Sequence, residues 1–213
     1  MTGADNTSAL LVALEEARDL GFLGPGPLDR QVAHAQGFAW AVDTAGIQGP
    51  NRVLDLGSGG GLPGLVLAFS WPSARITLLD SGSRQVTFLR RALERCALDD
   101  RVAVVEGRAE ELGRDPALRE AFQLVVARSF GPPPVVAECA APFLEVGGAL
   151  VVSERPETDD SEKRWNEAGL AELGMGSPTV VRDAFGYAVI RQLSLCSDRF
   201  PRRVGVPEKR PLF

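Results

Sequence analysis

The sequence predicts an α/β domain built on a mainly parallel sheet. Two patterns carry that expectation. From residue 51 onward, short apolar runs of strand length alternate with runs of helical periodicity, which is how βαβ units read. Five glycines fall within the ten residues 55–64, between the first strand and the helix that follows it. In parallel sheets that turn lies at the carboxyl end of a strand, where ligands bind. A length of 213 residues with 45% hydrophobic and 24% charged residues suffices for one domain with a buried core and excludes overall disorder.

The elements follow in order. Ser8 can cap a helix from Ala9 to Leu20 that Gly21 ends. Gly24-Pro25-Gly26-Pro27 is a loop. A second helix, Leu28 to Asp43, places Leu28, Val32, Ala35, Ala39 and Val42 on one face. On it, His34 reads as a helix-face residue and Trp40 as core. Arg52 to Leu56 is the first strand and Leu62 to Ser70 a helix. Arg75 to Leu79 is the second strand, ended by Asp80, and Ser83 to Ala97 an amphipathic helix. Val102–Val105 and Leu124–Ala127 are the third and fourth strands. Pro134 to Leu144 is a helix, Gly147-Gly148 a turn, and Ala149 to Val152 the fifth strand. A solvated run from Glu154 to Lys163 leads into a helix from Ser161 to Leu173. Thr179–Val181 and Tyr187–Gln192 form a terminal strand pair around Gly186. The expected organisation is a helical extension over 1–50, a core over 51–197 and a basic tail over 198–213 lying on or near that core.

Charge and cysteine content bound the function. The net charge of −5 argues against a broad electrostatic nucleic-acid binder. The charge is uneven, however. Residues 198–213 hold five basic and two acidic residues, while the rest holds 18 basic and 26 acidic ones. Three cysteines, Cys96, Cys139 and Cys196, are widely spaced, fit no zinc pattern and suit a reducing cytosol. No apolar run reaches about 18 residues and the first residues do not form a signal peptide, so a cytoplasmic protein with no membrane partner is expected. A monomer without a metal is the simplest expectation.

The glycine loop is the most informative stretch. Gly59-x-Gly61-x-x-Gly64 matches the dinucleotide fingerprint, which alone is a weak signal. Two features favour S-adenosylmethionine (SAM) over NAD. Asp55, two residues before Gly57, can meet the cationic amino-acid end of SAM directly or through water, whereas it would repel a pyrophosphate. The helix N-terminus at Leu62-Pro63-Gly64 can receive the ligand's carboxylate. Asp80, at the end of the second strand, can accept ribose hydroxyls or cap the next helix. Ser81 follows it in the same turn. Glu106 to Glu110 can frame an adenine ring or form a polar loop.

Several strings resemble one branch of the class I SAM-dependent methyltransferases. They are Asp55-Leu-Gly-Ser-Gly-Gly-Gly-Leu-Pro-Gly64, Leu79-Asp80-Ser81 with Arg84 and Phe88-Leu89-Arg90, Gly107-Arg-Ala-Glu-Glu111, Ala127-Arg128-Ser129-Phe130, and Pro142-Phe-Leu-Glu-Val-Gly-Gly148. The tail Phe200-Pro-Arg-Arg-Val-Gly-Val-Pro-Glu-Lys-Arg-Pro-Leu212 is similar to a C-terminal signature of the same branch. That branch is the small-subunit (16S) rRNA guanine-N7 methyltransferases, the glucose-inhibited division protein B family.

The resemblance implies a Rossmann-like fold: a seven-stranded, mostly parallel sheet with its last strand antiparallel and helices on both faces. It implies SAM as cofactor, held by Asp55, Gly57, Ser58, Gly59, Gly61, Leu62, Asp80, Ser81, Ala109, Glu110 and Arg128. Arg128 is the implied catalytic residue, facing the reaction centre. Phe130 is a candidate to stack on a base, and Arg202, Arg203 and Lys209 are candidates to hold RNA. The implied partner is small-subunit rRNA or the ribosomal subunit. The chain departs from the family in lacking its Asn-Leu-Thr and Arg-His…Asp-Ser-Leu segments before the first strand, and in carrying Ser153-Glu154 where the family has Lys-Gly. The alternatives are a small-molecule methyltransferase on the same fold, a non-catalytic SAM-binding module and an NAD enzyme.

Chemistry narrows the reaction. Guanine N7 already carries a lone pair, so its methylation needs positioning rather than a general base. Methylation at pyrimidine C5 needs a nucleophilic cysteine, and none follows the fourth strand. Arg128-Ser129-Phe130-Gly131-Pro132 is not the Asn/Asp-Pro-Pro-Tyr/Phe string of exocyclic amino methylation.

Overall fold

A computed structural model describes residues 3–154 and 164–213. The described elements run α1 (Gly3–Asp19), α2 (Leu28–Thr44), β1 (Arg52–Leu56), α3 (Gly64–Ser70), β2 (Arg75–Asp80), α4 (Ser83–Cys96), β3 (Val102–Glu106) and α5 (Ala109–Leu112). They continue with β4 (Phe122–Ala127), α6 (Pro133–Ala140), a 3-10 turn (Ala141–Phe143), β5 (Leu144–Glu154), α7 (Glu167–Glu172), β6 (Thr179–Arg182), β7 (Gly186–Arg191) and α8 (Val206–Lys209). The seven strands form one sheet in the order β3-β2-β1-β4-β5-β7-β6. All neighbours from β3 to β5 pair parallel, and β7 runs antiparallel to both β5 and β6. The strand order reverses between β1 and β4, so their carboxyl ends flank the switch point where a ligand binds.

Alternation along each strand builds two cores. Val53, Leu124 and Val126 point to the face covered by α1 to α4, and Leu54, Val125 and Ala127 point to the face covered by α5, α6, α7 and the C-terminal segment. On the first face α1 packs against α4 and α2 against α3. The only tyrosine, Tyr187, ties α2 to β7: its hydroxyl donates to the His34 carbonyl at 2.6 Å, and its ring fills the space left by Gly37.

Local expectations change in several places. The helix expected over Pro134 to Leu144 ends at Ala140 and passes through the 3-10 turn, and Leu144 opens β5. The helix placed from Ala9 starts at Gly3, so Ser8 is an interior residue rather than a cap. The buried stripe of α2 is Gln31, Ala35, Phe38, Ala41 and Val42, which leaves Leu28, Val32 and Ala39 at its margin. Trp40 is 37% exposed rather than core, with its ring 6.5 Å from that of Tyr187. Gly147-Gly148 lies inside β5, where the register against β4 shifts between Phe122 and Leu124 and Gly147 takes φ +89°. The glycines thus form a bulge rather than a break between elements. Finally, Glu154 is buried and accepts from Trp165 Nε1 at 2.7 Å and from Arg164, so it is no part of a solvated run. Residues 155–163, which include the expected helix start at Ser161, lie outside the described residues, and the helix is described from Glu167 to Glu172 with Asn166 as its cap.

Candidate functional site

The site grows from the carboxyl end of β1. There the backbone N–H groups of Gly57 and Ser58 both donate to the Leu79 carbonyl of β2, at 2.9 and 3.0 Å, which turns the chain over the sheet edge. Gly57 and Gly61 hold φ +74° and +88°, left-handed values that a side chain would strain. Gly64 is needed for a different reason. A Cβ there would lie 2.5 Å from Asp55 Oδ2, where the Gly64 N–H donates at 2.9 Å. Ser58 is buried and its hydroxyl donates to the Asp55 carbonyl.

The two acids at the strand ends have different environments. Asp55 is fully buried, and its second oxygen, Oδ1, has no hydrogen-bond partner. Burial pushes its carboxyl up to about 7, against the opposing effect of the Gly64 N–H. Asp80 is only half-buried. Its Oδ2 accepts from Gly59 N–H and its Oδ1 from Gly82 N–H, both at 2.8 Å, so it pins the glycine loop and the start of α4 together. Each carboxylate oxygen retains acceptor capacity for a ribose hydroxyl. The Gly64 amide, by contrast, is occupied by Asp55. That one amide is therefore not free for a ligand carboxylate.

A cleft of ≈ 330 Å³ opens beside Gly57, Leu79, Asp80 and Ser81, and Ala109, Glu110 and Phe130 also line it. Ala109 offers a small buried wall. The Glu110 carboxylate is already engaged, by Arg108 at 3.1 Å and by Gly205 N–H at 3.0 Å, so the Glu110 side chain braces the wall. The Phe130 ring lies over Gly57 and reaches the place where a Cβ would stand. Its position is against the glycine loop, not out in solvent.

A second cavity of ≈ 190 Å³ lies across the loop, lined by Phe22, Leu23, Gly24, Gly57, Ser58, Gly59, Gly60, Leu62, Arg128 and Ser129. Arg128 Nη2 donates to Gln31 Oε1 at 3.2 Å, and Arg128 Nη1 is buried with no partner. Burial disfavours the charge of this guanidinium, so an anion reaching it would gain from both its hydrogen bond and its charge. Sequence reasoning missed three participants here. The 22–24 segment covers the glycine loop, Gln31 contacts Arg128, and Ser129 stands at φ +57°. A left-handed serine is the kind of local strain that accumulates at functional sites, but nothing in the letters 128–130 announces it.

The residues therefore fit SAM: acidic acceptors beside one cleft and an unpartnered guanidinium nitrogen in the adjoining cavity, joined by glycines that admit a close ligand. Comparisons with known proteins point the same way. The family described as GidB, rRNA small subunit methyltransferase G, matches residues 41–172. Ribosomal RNA small subunit methyltransferase G of Deinococcus deserti is 35% identical over 98% of this chain and 88% of its own length. Its counterpart in Synechococcus sp. (strain RCC307) is 36% identical over 76% of this chain and 71% of its own.

The chain belongs to the rRNA small subunit methyltransferase G family. Its fold is the class I methyltransferase fold. An O-methyltransferase from Bacillus cereus, solved in complex with S-adenosylhomocysteine (SAH), superposes with a TM-score of 0.64 at 18% identity, over 87% of this chain and 90% of that one. The protein is thus a SAM-dependent methyltransferase, which sets aside the NAD alternative.

In this methyltransferase the tail is arranged differently from a free basic arm. Arg202 donates through its N–H, Nε and Nη2 to Glu138, a fully buried carboxylate on α6. Arg202 is therefore a structural strut between the tail and α6. Arg119 and Arg114 further fasten the segment through the carbonyls of Cys196, Asp198, Arg199, Phe200 and Pro201. Arg203 and Lys209 remain exposed. Glu208, carried by α8, reaches the cleft. The three cysteines are buried free thiols, all with pKa values raised mainly by burial. His34 is held neutral, its pKa pulled down to about 4 by burial and by Arg128, and its ring packs edge-on against Phe185 at 4.8 Å. Among the described residues no group of three or more His, Cys, Asp or Glu could hold a metal, and no helix is long and apolar enough to cross a membrane.

The raised pKa of Asp55 gives a pH prediction. Folding buries Asp55 and favours its protonated form, so the folded chain binds this proton more tightly than the unfolded chain, and stability falls as pH rises from about 4 to about 7. Thermal melts should show Tm falling across that window and levelling off above about pH 7. In Asp55→Asn this pH dependence should disappear.

Proposed function

We propose that the chain methylates N7 of a guanine in small-subunit rRNA. The observation that carries the reading is a methyl-transfer site built for positioning: the one carboxylate among the described residues lining the acceptor-side cavity, Glu154, is already engaged by Trp165 and Arg164. Asp55 is buried behind the loop, His34 is neutral and packed among aromatic rings, and the cysteines are buried with raised pKa values. Guanine N7 needs no deprotonation before it attacks. Relatives carrying the rRNA small subunit methyltransferase name support the choice of substrate.

SAM, when bound, supplies a methyl group on a positively charged sulfur. The chain's own residues do the rest. Asp80 holds the glycine loop and offers acceptors to the ribose, while Ala109 and the backbone near it frame the adenine. Arg128 Nη1 serves as the donor for the amino-acid carboxylate, since the Gly64 amide is occupied. Ser129 lies where the two cavities meet a third of ≈ 370 Å³, at the carboxyl ends of β4 and β5. That third cavity gives a flipped-out purine room to approach, with Phe130 shielding the loop from water.

The test is transfer of tritium from labelled SAM to 30S subunits or naked rRNA from a strain lacking the enzyme, followed by mapping of the modified base. Label at a guanine N7 is expected. Label on another base, or none on any RNA substrate, would reject the reading. Arg203, exposed on the tail, is the better candidate for phosphate contact than Arg202. Arg203→Ala should weaken RNA binding uniformly across sequences and lower the slope of log K against log salt by about 1. Filter binding across a salt series checks this.

A further inference from the structure

Gln31 is a buried polar residue at the N-terminal end of an otherwise apolar helix stripe, and no sequence motif accounts for it. Its amide is fully used. Nε2 donates to the Gly24 carbonyl at 3.0 Å and reaches the Gly26 carbonyl at 3.4 Å, while Oε1 accepts from Arg128 Nη2 at 3.2 Å. One side chain thus joins the 24–26 loop to the end of β4.

The consequence falls on Arg128. Its guanidinium has two terminal nitrogens; Gln31 takes one, and the other is buried and unpartnered. Around it stand Asp55, buried with its carboxyl pushed up to about 7, the neutral His34 and the Tyr187 phenol. These neighbours leave the guanidinium without a full counter-charge. A free arginine side chain samples many rotamers, and fixing it costs entropy that binding must otherwise supply. Gln31 removes part of that cost beforehand, because its own orientation is set by the Gly24 and Gly26 carbonyls.

We propose that Gln31 is a positioning residue: it fixes Arg128 so that Nη1 alone is presented to the anionic end of the cofactor, and it couples that placement to the loop covering the second cavity. The inference rests on the reading of Arg128 as the donor to the cofactor's carboxylate. A glutamine suits the task better than a carboxylate would by charge alone. It accepts from Arg128 without neutralising it, leaving the positive charge for the ligand.

The test is calorimetry of SAH binding to the full chain in four variants. Gln31→Met removes both hydrogen-bonding functions at similar size and should weaken binding about 3- to 10-fold. In an Arg128→Ala background the same change should add less than about twofold, because the residue it positions is gone. Gln31→Glu keeps an oxygen toward Arg128 but sets a negative charge against it, and should bind SAH at least as weakly as Gln31→Met. Thermal melts identify any variant that fails to fold. If Gln31→Met binds as the parent does, or its effect multiplies fully with that of Arg128→Ala, Gln31 does not act through Arg128. Gln31→Glu binding as tightly as the parent would show that the charge left on Arg128 is not what the ligand reads and would also overturn the proposal. If Arg128→Ala itself leaves SAH affinity unchanged, the reading of Arg128 fails instead.

Discussion

Arg128→Ala is expected to raise the Kd for SAM and SAH about 10- to 100-fold, with methyl transfer falling at least as far at subsaturating cofactor. The magnitude follows from one hydrogen bond to a charged group, about 1.5–3 kcal/mol, at about 1.4 kcal/mol per factor of ten. The Gly64 N–H is occupied by Asp55, and the Gly57 and Ser58 amides both donate to Leu79. Arg128→Lys should recover part of the loss, since it restores the charge but cannot keep the Gln31 contact while presenting a second nitrogen. Calorimetry with SAH checks the binding component without relying on turnover. Unchanged affinity in Arg128→Ala would move Arg128 to the acceptor side of the reaction.

Arg202→Ala should act on stability rather than directly on RNA recognition. Glu138 has no solvent exposure, and the Arg202 N–H, Nε and Nη2 all converge on it. Removing the side chain leaves one backbone N–H to satisfy a buried carboxylate, and breaking such a pair costs roughly 3–5 kcal/mol. For a domain of this size that corresponds to a fall in Tm of roughly 10 °C. The double variant Arg202→Met/Glu138→Gln should lose less, because no charge is left buried without a partner. A thermal melt decides the matter, and a melt within about 2 °C of the parent would show that Glu138 is relieved by other means. Because the same segment carries Gly205, which caps Glu110, and Glu208, which lines the cleft, Arg202→Ala should also weaken SAH binding. On this view the tail contributes to the cofactor cleft, and RNA contact is left to its exposed members.

Much of the fold was legible because local periodicity and burial agree. β1 spans Arg52–Leu56 as the apolar run predicts, and α4 starts at Ser83 where its amphipathic pattern begins. The misplacements have distinct causes. α2 turns its Gln31–Phe38 stripe inward because Gln31 has partners on the 24–26 loop and β4, and hydrophobicity alone cannot rank a paired glutamine above Leu28 or Val32. Gly147 reads as a turn by type, yet parallel pairing with β4 carries the strand through it as a bulge. α5 and α8, of four residues each, are too short to show a helical period.

The sequence by itself determined the α/β class, the ligand-binding turn after the first strand and the two acids that frame it. Each of these depends on neighbours close in the chain: a glycine's φ, a strand's alternation, a carboxylate at a strand end. The tertiary structure alone decided what the polar groups are free to do. It gave the Gly64 amide to Asp55 across 9 residues, Arg202 to Glu138 across 64 and Arg128 to Gln31 across 97. A hydrogen-bonding group cannot serve a buried partner and a ligand with the same valence. The chemistry left to the site is therefore the part that long-range pairing has not consumed: Arg128 Nη1, the Asp80 lone pairs and the exposed Arg203.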